Sequence, residues 1–205
     1  MRGPRARMRK ALLATAMHMM SEGVTPSVTE LAEAAEVSRA TAYRYFPTQS
    51  DLIAAVVDES LGPILNWDSP SNSASARIDE LIRHTYPRLE EFEVQLRAAI
   101  LISLQQDAQE RASKSRNKHP LIRGHRVELL KRAVAPLRQT VGDPLFLKTV
   151  RALSMIYGTE VFLVLKDIWH LEIDDITDIV RWMAQAVMKQ ALEDSNEGKA
   201  APGNG

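Results

Sequence analysis

The sequence predicts an all-α protein built of two helical domains. Three helix-start signals follow one another within residues 27–52, and further stretches of helical periodicity fill residues 74–193. No stretch shows the alternation of apolar and polar residues that is typical of strands. A run of Asn, Ser, Asp and Pro at residues 66–74 cannot form a core element, so we expect the two domains to join there.

The first start signal is a capping box. Ser27 can cap the amide of Glu30 while the Glu30 carboxylate reaches back to the amide of Ser27. Apolar residues follow at Leu31, Ala32 and Ala35. We therefore predict a short helix of about two turns that begins after Ser27.

The second start signal lies at Ser38, which can cap a helix over Arg39 to Tyr45. Val37 is then the buried corner of the turn between the two helices. Ala42 and Phe46 lie four residues apart, so we expect both side chains to pack inward. Pro47 ends this helix.

The third start signal is Thr48, which begins a helix with Asp51 in its first turn, where a carboxylate is favourable. Its inward face is predicted to hold Leu52, Ile53 and Val56. Two short helices and a third in this order have the layout of a helix-turn-helix DNA reader, whose second helix enters the major groove.

The outward side chains of the second helix suit contact with DNA. Arg39 can reach guanine O6 and N7, and the Ala40 methyl group can touch a thymine methyl. Hydroxyl groups that suit phosphates or bases belong to Thr41, Tyr43, Tyr45 and Thr48. Five Lys or Arg residues precede the motif within residues 1–10, without one acid, and this basic arm also favours DNA. The alternative is an ordinary helical hairpin with exposed Arg and Tyr side chains.

The motif resembles the TetR family of transcriptional regulators over about residues 8–56. The resemblance is carried by a helix that ends at Glu22-Gly23, followed by Leu31-Ala32, Val37-Ser38, Thr41, Tyr43, Tyr45-Phe46 and Leu52. It implies a dimeric, two-domain repressor. Its DNA contacts would fall on Thr29, Arg39, Ala40, Thr41, Tyr43, Arg44, Tyr45 and Thr48.

The sequence departs from the family at two positions of the motif. Glu36 stands where the family usually has glycine, so we expect an altered turn. Gln49 stands where the family usually has a phosphate-binding lysine, so we expect one weaker backbone anchor.

Composition fits a globular protein with one basic end. The chain has 205 residues, 45% of them hydrophobic, a formal net charge of zero and no cysteine. Residues 1–50 nevertheless carry seven Lys or Arg against four Asp or Glu. His18 interrupts the apolar run 11–20, no signal-peptidase site follows it, and no uncharged stretch is long enough for a membrane span. We therefore expect a cytoplasmic protein without a membrane partner.

The predicted domains follow from these boundaries. Residues 1–56 form the DNA-binding domain, with the arm at 1–10, and residues 57–73 hold a helix end and a linker. Residues 74–195 form an effector-binding and dimerisation domain, and residues 196–205 a disordered tail. The predicted helices of the second domain are 74–85, which ends at Tyr86-Pro87, then 88–112, 120–138, 144–169 and 174–193.

The last two predicted helices are apolar on more than one face, which favours pairing with a second copy of the chain. Reading a near-palindromic, inverted-repeat operator also requires a homodimer. The predicted interface consists of Val161, Leu165, Ile176, Ile179, Val180, Met183 and Val187. The alternative is that these helices are simply buried in the core.

Large side chains between residues 74 and 165 indicate a pocket for a small apolar or amphipathic effector. The candidate lining residues are Tyr86, Phe92, Leu96, Arg97, Ile100, His125, Tyr157 and Phe162. Arg97 is suited to hold a ligand carboxylate. The alternatives are that these residues form ordinary core, that His125 lies on the surface, and that Arg97 pairs with Glu93 or Glu160 or reaches solvent.

No catalytic, cofactor or metal motif is recognisable in the sequence. The histidines show no zinc-binding spacing, and the chain has no nucleophile elbow and no phosphate-binding glycine loop. The sequence therefore predicts a non-enzymatic transcriptional regulator. One alternative is an all-helical enzyme or ligand carrier in which the helix pair is incidental. A regulator controlled by protein partners without a small-molecule inducer is the other alternative.

Overall fold

The described residues of the computed structural model, 3–113 and 125–200, are helical with turns between the helices. Side chains are described as far as residue 197. The helices are α1 (Pro4–Ser21), α2 (Val28–Ala34), α3 (Arg39–Tyr45), α4 (Gln49–Leu65), α5 (Ala74–Glu91), α6 (Glu93–Ser113), α7 (His125–Ala133), α8 (Leu137–Val141), α9 (Asp143–Ile156), α10 (Glu160–Leu165) and α11 (Ile173–Ala200).

The chain forms two compact units whose bounds differ from those of the predicted domains. The first unit takes in the described residues of Met1–Gly62 and Phe92–Arg123, and the second those of Pro63–Glu91 and Gly124–Gly205. Helix α6 thus packs with the first unit, although the sequence places it after the predicted linker.

The core of the first unit joins the helix-turn-helix to its two long neighbours. Apolar side chains of α1 to α4 are buried together with Ala98, Ala99 and Ile102 of α6. The Gln95 side chain donates a hydrogen bond to the backbone oxygen of Met17 at 3.3 Å, which ties α6 to α1. The short helices α2 and α3 are therefore held by tertiary packing, as helices of their length require.

The second unit is built on α11, which packs against α5 and α9. A buried stripe along α11 contains Ile176, Val180, Ala184, Met188 and Ala191, at the spacing of one helix face.

Arg77 of α5 connects the segment between α4 and α5 to the end of α7. Its guanidinium donates to the backbone oxygens of Ala133 at 3.0 Å and Arg132 at 3.1 Å, and pairs with Asp68 at 2.9 Å. It also lies over the ring of Trp67. These partners satisfy a charge that is almost fully buried.

Several predicted helix boundaries of the second unit are wrong. Tyr86-Pro87 does not end α5, which runs through the proline to Glu91. Proline removes one helical hydrogen bond, and the burial of Tyr86 and Leu89 on either side offsets that loss. The predicted helix 144–169 breaks after Ile156, because Gly158 adopts a φ of +137° that no helix allows.

The ends of the chain also differ from the prediction. Helix α1 begins at Pro4, so residues 4–10 of the basic arm are helical. Helix α11 continues to Ala200, so the prediction of a disordered tail is wrong for residues 196–200, and residues 201–205 lie outside the described part. Within the described residues, no helix is long and apolar enough to cross a membrane.

Candidate nucleic-acid interface

The start of α2 is fixed by the predicted capping box. The Glu30 amide donates to Ser27 Oγ at 3.2 Å, and the Ser27 amide donates to Glu30 Oε2 at 2.7 Å. The hydrogen bond from the Ser27 backbone lowers the pKa of the Glu30 carboxyl below its usual value. The capping prediction is therefore confirmed.

The turn between α2 and α3 keeps the geometry of a glycine-terminated helix although glycine is absent. The Glu36 amide donates to Glu33 O at 3.2 Å and the Val37 amide to Ala32 O at 3.0 Å, which is the hydrogen-bond pattern of the Schellman motif. Glu36 adopts a φ of +52° to make it. The turn is therefore preserved, and the expectation of an altered turn is wrong; the replacement of glycine leaves backbone strain instead.

Helix α3 is oriented by one cap and two buried side chains. The Thr41 amide donates to Ser38 Oγ at 3.2 Å. Ala42 and Phe46 are almost completely buried, which confirms the predicted inward pair. The exposed residues of α3 are Arg39, Ala40, Tyr43 and Arg44, and those of intermediate exposure are Thr41 and Tyr45.

Helix α4 begins with a second reciprocal cap. The Asp51 amide donates to Thr48 Oγ1 and the Thr48 amide donates to Asp51 Oδ2, both at 3.1 Å. The Thr48 hydroxyl also donates to the same carboxylate at 2.8 Å. The residues of the predicted inward face, Leu52, Ile53 and Val56, are fully buried. Thr48 is therefore engaged in the cap while it remains half-buried beside α3.

Gln49 has a structural contact that sequence reasoning missed. Its side-chain amide donates to the backbone oxygen of Pro26 at 3.1 Å. This bond ties the start of α4 to the segment just before α2. The TetR family usually has a phosphate-binding lysine at this position. In this chain, the Gln49 side chain instead stabilises the helix-turn-helix through its bond to Pro26.

Two contacts between α2 and α3 involve residues that are predicted to touch DNA. Arg39 Nη2 lies 2.9 Å from Glu33 Oε1, in an exposed ion pair. The hydroxyls of Thr29 and Tyr43 lie 3.4 Å apart and share a hydrogen bond. Glu33 is not among the predicted site residues. The only feature of the sequence that indicates this pair is the position of an acidic residue six residues before Arg39.

The basic arm lies beside the end of α3. Pro4, Arg5 and Met8 of α1 line an open cleft together with Arg44 and Tyr45. The Arg44 guanidinium also lies 5.5 Å from the centre of the Tyr45 ring. The arm and α3 therefore contribute cations to one surface of the first unit.

The predicted effector-binding residues fall in both compact units. Phe92, Leu96, Arg97 and Ile100 belong to the first unit, and Tyr86, His125, Tyr157 and Phe162 to the second. Arg97 Nε donates to Glu93 Oε1 at 2.7 Å, so the alternative that Arg97 pairs with Glu93 is confirmed. His125 is half-buried at the start of α7.

In the second unit, two of the predicted pocket residues, Tyr86 and Phe162, contact each other. The ring of Tyr86 meets that of Phe162 edge-on, with their centres 6.0 Å apart. The Tyr86 hydroxyl donates to Ile156 O at 2.7 Å, and the Tyr157 hydroxyl lies 2.8 Å from Thr85 Oγ1. Burial raises the pKa of Tyr157 to about 12 and also raises that of Tyr86.

The predicted dimer residues of α11 lie on two different faces. Ile176 and Val180 are completely buried within the second unit, so the prediction that they face a second copy is wrong. They belong to the stripe of α11 that packs on α5 and α9. Ile179 and Val187 are half-buried and Met183 is exposed. In α10, Val161 and Leu165 are half-buried.

Two tryptophans near the predicted dimer residues are exposed. Trp182 of α11 is 73% exposed, and Trp169, which follows α10, is 68% exposed. The sequence prediction omitted both residues. Tryptophan side chains carry a large apolar area and are enriched at interfaces between proteins.

Comparison with known proteins agrees with this geometry. A family model described as "Bacterial regulatory proteins, tetR family" matches residues 12–56. The HTH-type transcriptional repressor LfrR of Mycolicibacterium smegmatis is 39% identical over 84 residues, which cover 39% of this chain and 44% of that protein. The match therefore spans less than half the length of this curated relative.

A solved structure extends the likeness to the whole fold. The crystal structure of a TetR transcriptional regulator from Rhodococcus sp. RHA1 superposes with a TM-score of 0.59 at 18% identity, covering 89% of this chain and 96% of that one. The motif and the helical architecture define a helix-turn-helix protein of the all-α class. Within that class, residues 12–56 match the TetR family of bacterial regulators, and the fold of the chain is similar to that of a TetR transcriptional regulator.

Proposed function

We propose that this protein is a transcriptional repressor that binds an inverted-repeat operator as a homodimer and is released by a small-molecule effector. The observation that carries the proposal is the orientation of α3. Its buried Ala42 and Phe46 fix the helix in the core, while Arg39, Tyr43 and Arg44 stand exposed on the other side. That is the arrangement with which a recognition helix enters the major groove.

The DNA contacts divide into base readers and phosphate contacts. Arg39 stands at the start of α3 and carries the forked donors that suit guanine, with Ala40 next to it for a thymine methyl. Arg44 and the arm residue Arg5 line one cleft, where two cations suit a phosphate. The further proposed contacts are the hydroxyl groups of Thr29, Thr41, Tyr45 and Thr48.

Dimerisation is supported by the outward face of α11. Ile179, Trp182 and Met183 share one face by their spacing, and Trp182 is the most exposed of the three. A second copy of the chain would remove these side chains from water and would pair two reading helices across a two-fold axis. Trp182→Glu should then leave a monomer in sedimentation at micromolar concentration, whereas Lys189→Glu changes an exposed side chain of the same helix and serves as its control. A wild-type monomer would refute the dimer.

Effector binding is supported by the break between α9 and α10. Arg126 Nη2 lies 2.6 Å from both carboxylate oxygens of Glu160. A side chain at Gly158 would come within 3.0 Å of both groups. Arg126 also donates to Ser154 O, and the Tyr86 hydroxyl donates to Ile156 O two residues further along α9. A ligand with an apolar body and one polar group would suit this combination of an ion pair and aromatic side chains.

Release would require an effector that binds better to the state with displaced reading helices. Ordinary coupling energies correspond to a fall in DNA affinity of about 5- to 150-fold. A panel of small amphipathic compounds, titrated against a labelled protein–operator complex, tests this step. A compound that binds the second unit and leaves operator affinity unchanged would count against release.

A regulator controlled by a protein partner is the second candidate. It is favoured by the close packing of Tyr86 on Phe162 and by the hydrogen-bonded hydroxyls of this cluster. No enzymatic role is proposed. If this second function is correct, the protein binds its operator and no compound of the panel releases it from that DNA.

The test of DNA reading is selection from random duplexes followed by substitution of Arg39. We expect an enriched sequence, and Arg39→Ala should weaken binding to it by about 1–3 kcal/mol at one base position. Arg151→Ala removes an exposed arginine from the second unit and is the matched control. Absence of any enriched sequence would refute the proposal, and equal losses on all duplexes would make Arg39 a phosphate contact.

A further inference from the structure

The contacts between α2 and α3 form two rungs on the exposed side of the motif. Glu33 meets Arg39 at 2.9 Å, and Thr29 meets Tyr43 at 3.4 Å. Thr29 and Glu33 are one helical turn apart on α2, and Arg39 and Tyr43 are one turn apart on α3. Thr29 and Glu33 of α2 are thus each paired with one residue of α3.

The rungs contribute little to folding. The side chains of Arg39 and Glu33 are 67% and 64% exposed, and ion pairs of that exposure have little effect on stability. The ion pair instead restricts the conformations of the Arg39 side chain. An arginine loses rotamer freedom when it binds, and a carboxylate that already holds it reduces that loss.

The ion pair is compatible with base reading. The contact joins one guanidinium nitrogen of Arg39, Nη2, to one carboxylate oxygen of Glu33. A guanidinium has five N–H donors in a planar fork, so donors remain for the two acceptors of guanine. A carboxylate at this place also repels phosphates, and that repulsion acts on every duplex alike.

We infer that Glu33 is a positioning residue, which orients Arg39 for one base and thereby raises the preference for the operator over other DNA. This inference rests on the proposed function, because it presumes that Arg39 reads a base. The Thr29–Tyr43 rung acts in the same way on the next turn of α3. Helix α2 accordingly orients the exposed side chains of α3 through these two contacts.

The test compares Glu33→Ala, Glu33→Gln, Arg39→Ala and the double variant Glu33→Ala/Arg39→Ala. Binding is measured on the duplex enriched by selection and on a scrambled duplex of the same length. Glu36→Gln removes a charge from the neighbouring turn while it leaves the Glu33–Arg39 pair in place, so it is the matched control. Unchanged thermal unfolding of each variant excludes a folding defect.

We expect Glu33→Ala to weaken binding to the enriched duplex by about 2- to 12-fold, which is the ordering cost of one long side chain expressed as affinity. Binding to the scrambled duplex should stay constant or tighten. Glu33→Gln keeps an oxygen acceptor, so it should recover part of the loss. The effect of Glu33→Ala should disappear in the Arg39→Ala background.

Four results would overturn the inference, and the last two separate it from the proposed function. Tighter binding of Glu33→Ala to both duplexes alike would make Glu33 only a repulsive charge. An effect of Glu33→Ala that persists in the Arg39→Ala background would make it independent of Arg39. If Arg39→Ala itself left the preference unchanged, base reading by Arg39 would fail as well, whereas a loss with Arg39→Ala and none with Glu33→Ala would refute positioning alone.

Discussion

Replacing Glu36 by glycine should stabilise the first unit. Glu36 closes α2 with a φ of +52°, a left-handed conformation that is strained in residues with a Cβ atom. Gly23 closes α1 with the same pattern of hydrogen bonds, since its amide donates to Met20 O and the next amide to Met19 O. The chain thus contains one Schellman turn with glycine and one without it.

The magnitude follows from two opposing terms. Left-handed backbone costs a non-glycine residue about 1–2 kcal/mol, and glycine relieves that cost. Glycine also makes the unfolded chain more flexible, which offsets about 0.4–1 kcal/mol of the gain. Because the Glu36 side chain is exposed, we expect Glu36→Gly to raise the free energy of unfolding by about 0.5–1 kcal/mol.

The assay is urea unfolding followed by circular dichroism, with two companion variants. Glu36→Ala removes the same charge and keeps the Cβ atom, so it should gain little. Gly23→Ala should lose about 0.5–1 kcal/mol, and the effect is one of backbone conformation because an added Cβ would meet nothing within 4 Å. If Glu36→Gly is no more stable than Glu36→Ala, the strain at this turn has been misjudged.

Further predictions concern the cap of α2, a buried tyrosine and the brace at α4. Ser27→Ala should cost about 1 kcal/mol of stability in the same assay, and Ser27→Thr should retain most of it; equal stability of all three proteins would contradict the capping role. Burial raises the pKa of Tyr157 to about 12, above the unfolded value of about 10, so its contribution is present below pH 10 and is lost as the pH rises through about 12. Tyr157→Phe should therefore flatten the fall in stability between about pH 10 and 12, and an equally steep fall would contradict this assignment. Gln49→Lys should tighten binding to every duplex and steepen its salt dependence by about one unit, despite the lost bond to Pro26; an unchanged slope would place the lysine away from phosphate.

The parts of the site that could be predicted from the sequence depend on interactions between residues three or four positions apart. The Ser27 and Ser38 caps each act on an amide three residues away, and residue type at that spacing is sufficient to identify them. The inward pair Ala42 and Phe46 follows from helical periodicity in the same way. The reading helix was therefore predicted with its bounds.

The parts that could not be predicted depend on contacts between distant residues. The break at Gly158 accompanies the pairing of Arg126 with Glu160, which lie 34 residues apart. Both faces of α11 are apolar, so periodicity alone did not distinguish the buried Val180 from the exposed Trp182. The Glu33–Arg39 pair was missed because it joins two helices across a turn, a geometry that no single periodicity describes.

The most direct test of the account is the composition of the complex on duplexes of defined symmetry. Native mass spectrometry should find two chains on the enriched inverted repeat. Scrambling one half-site should weaken binding at least about tenfold, because two linked reading heads then lose one of their sites. One chain bound per duplex, with equal affinity for the whole and the half repeat, would contradict the claim that this protein reads DNA as a dimer.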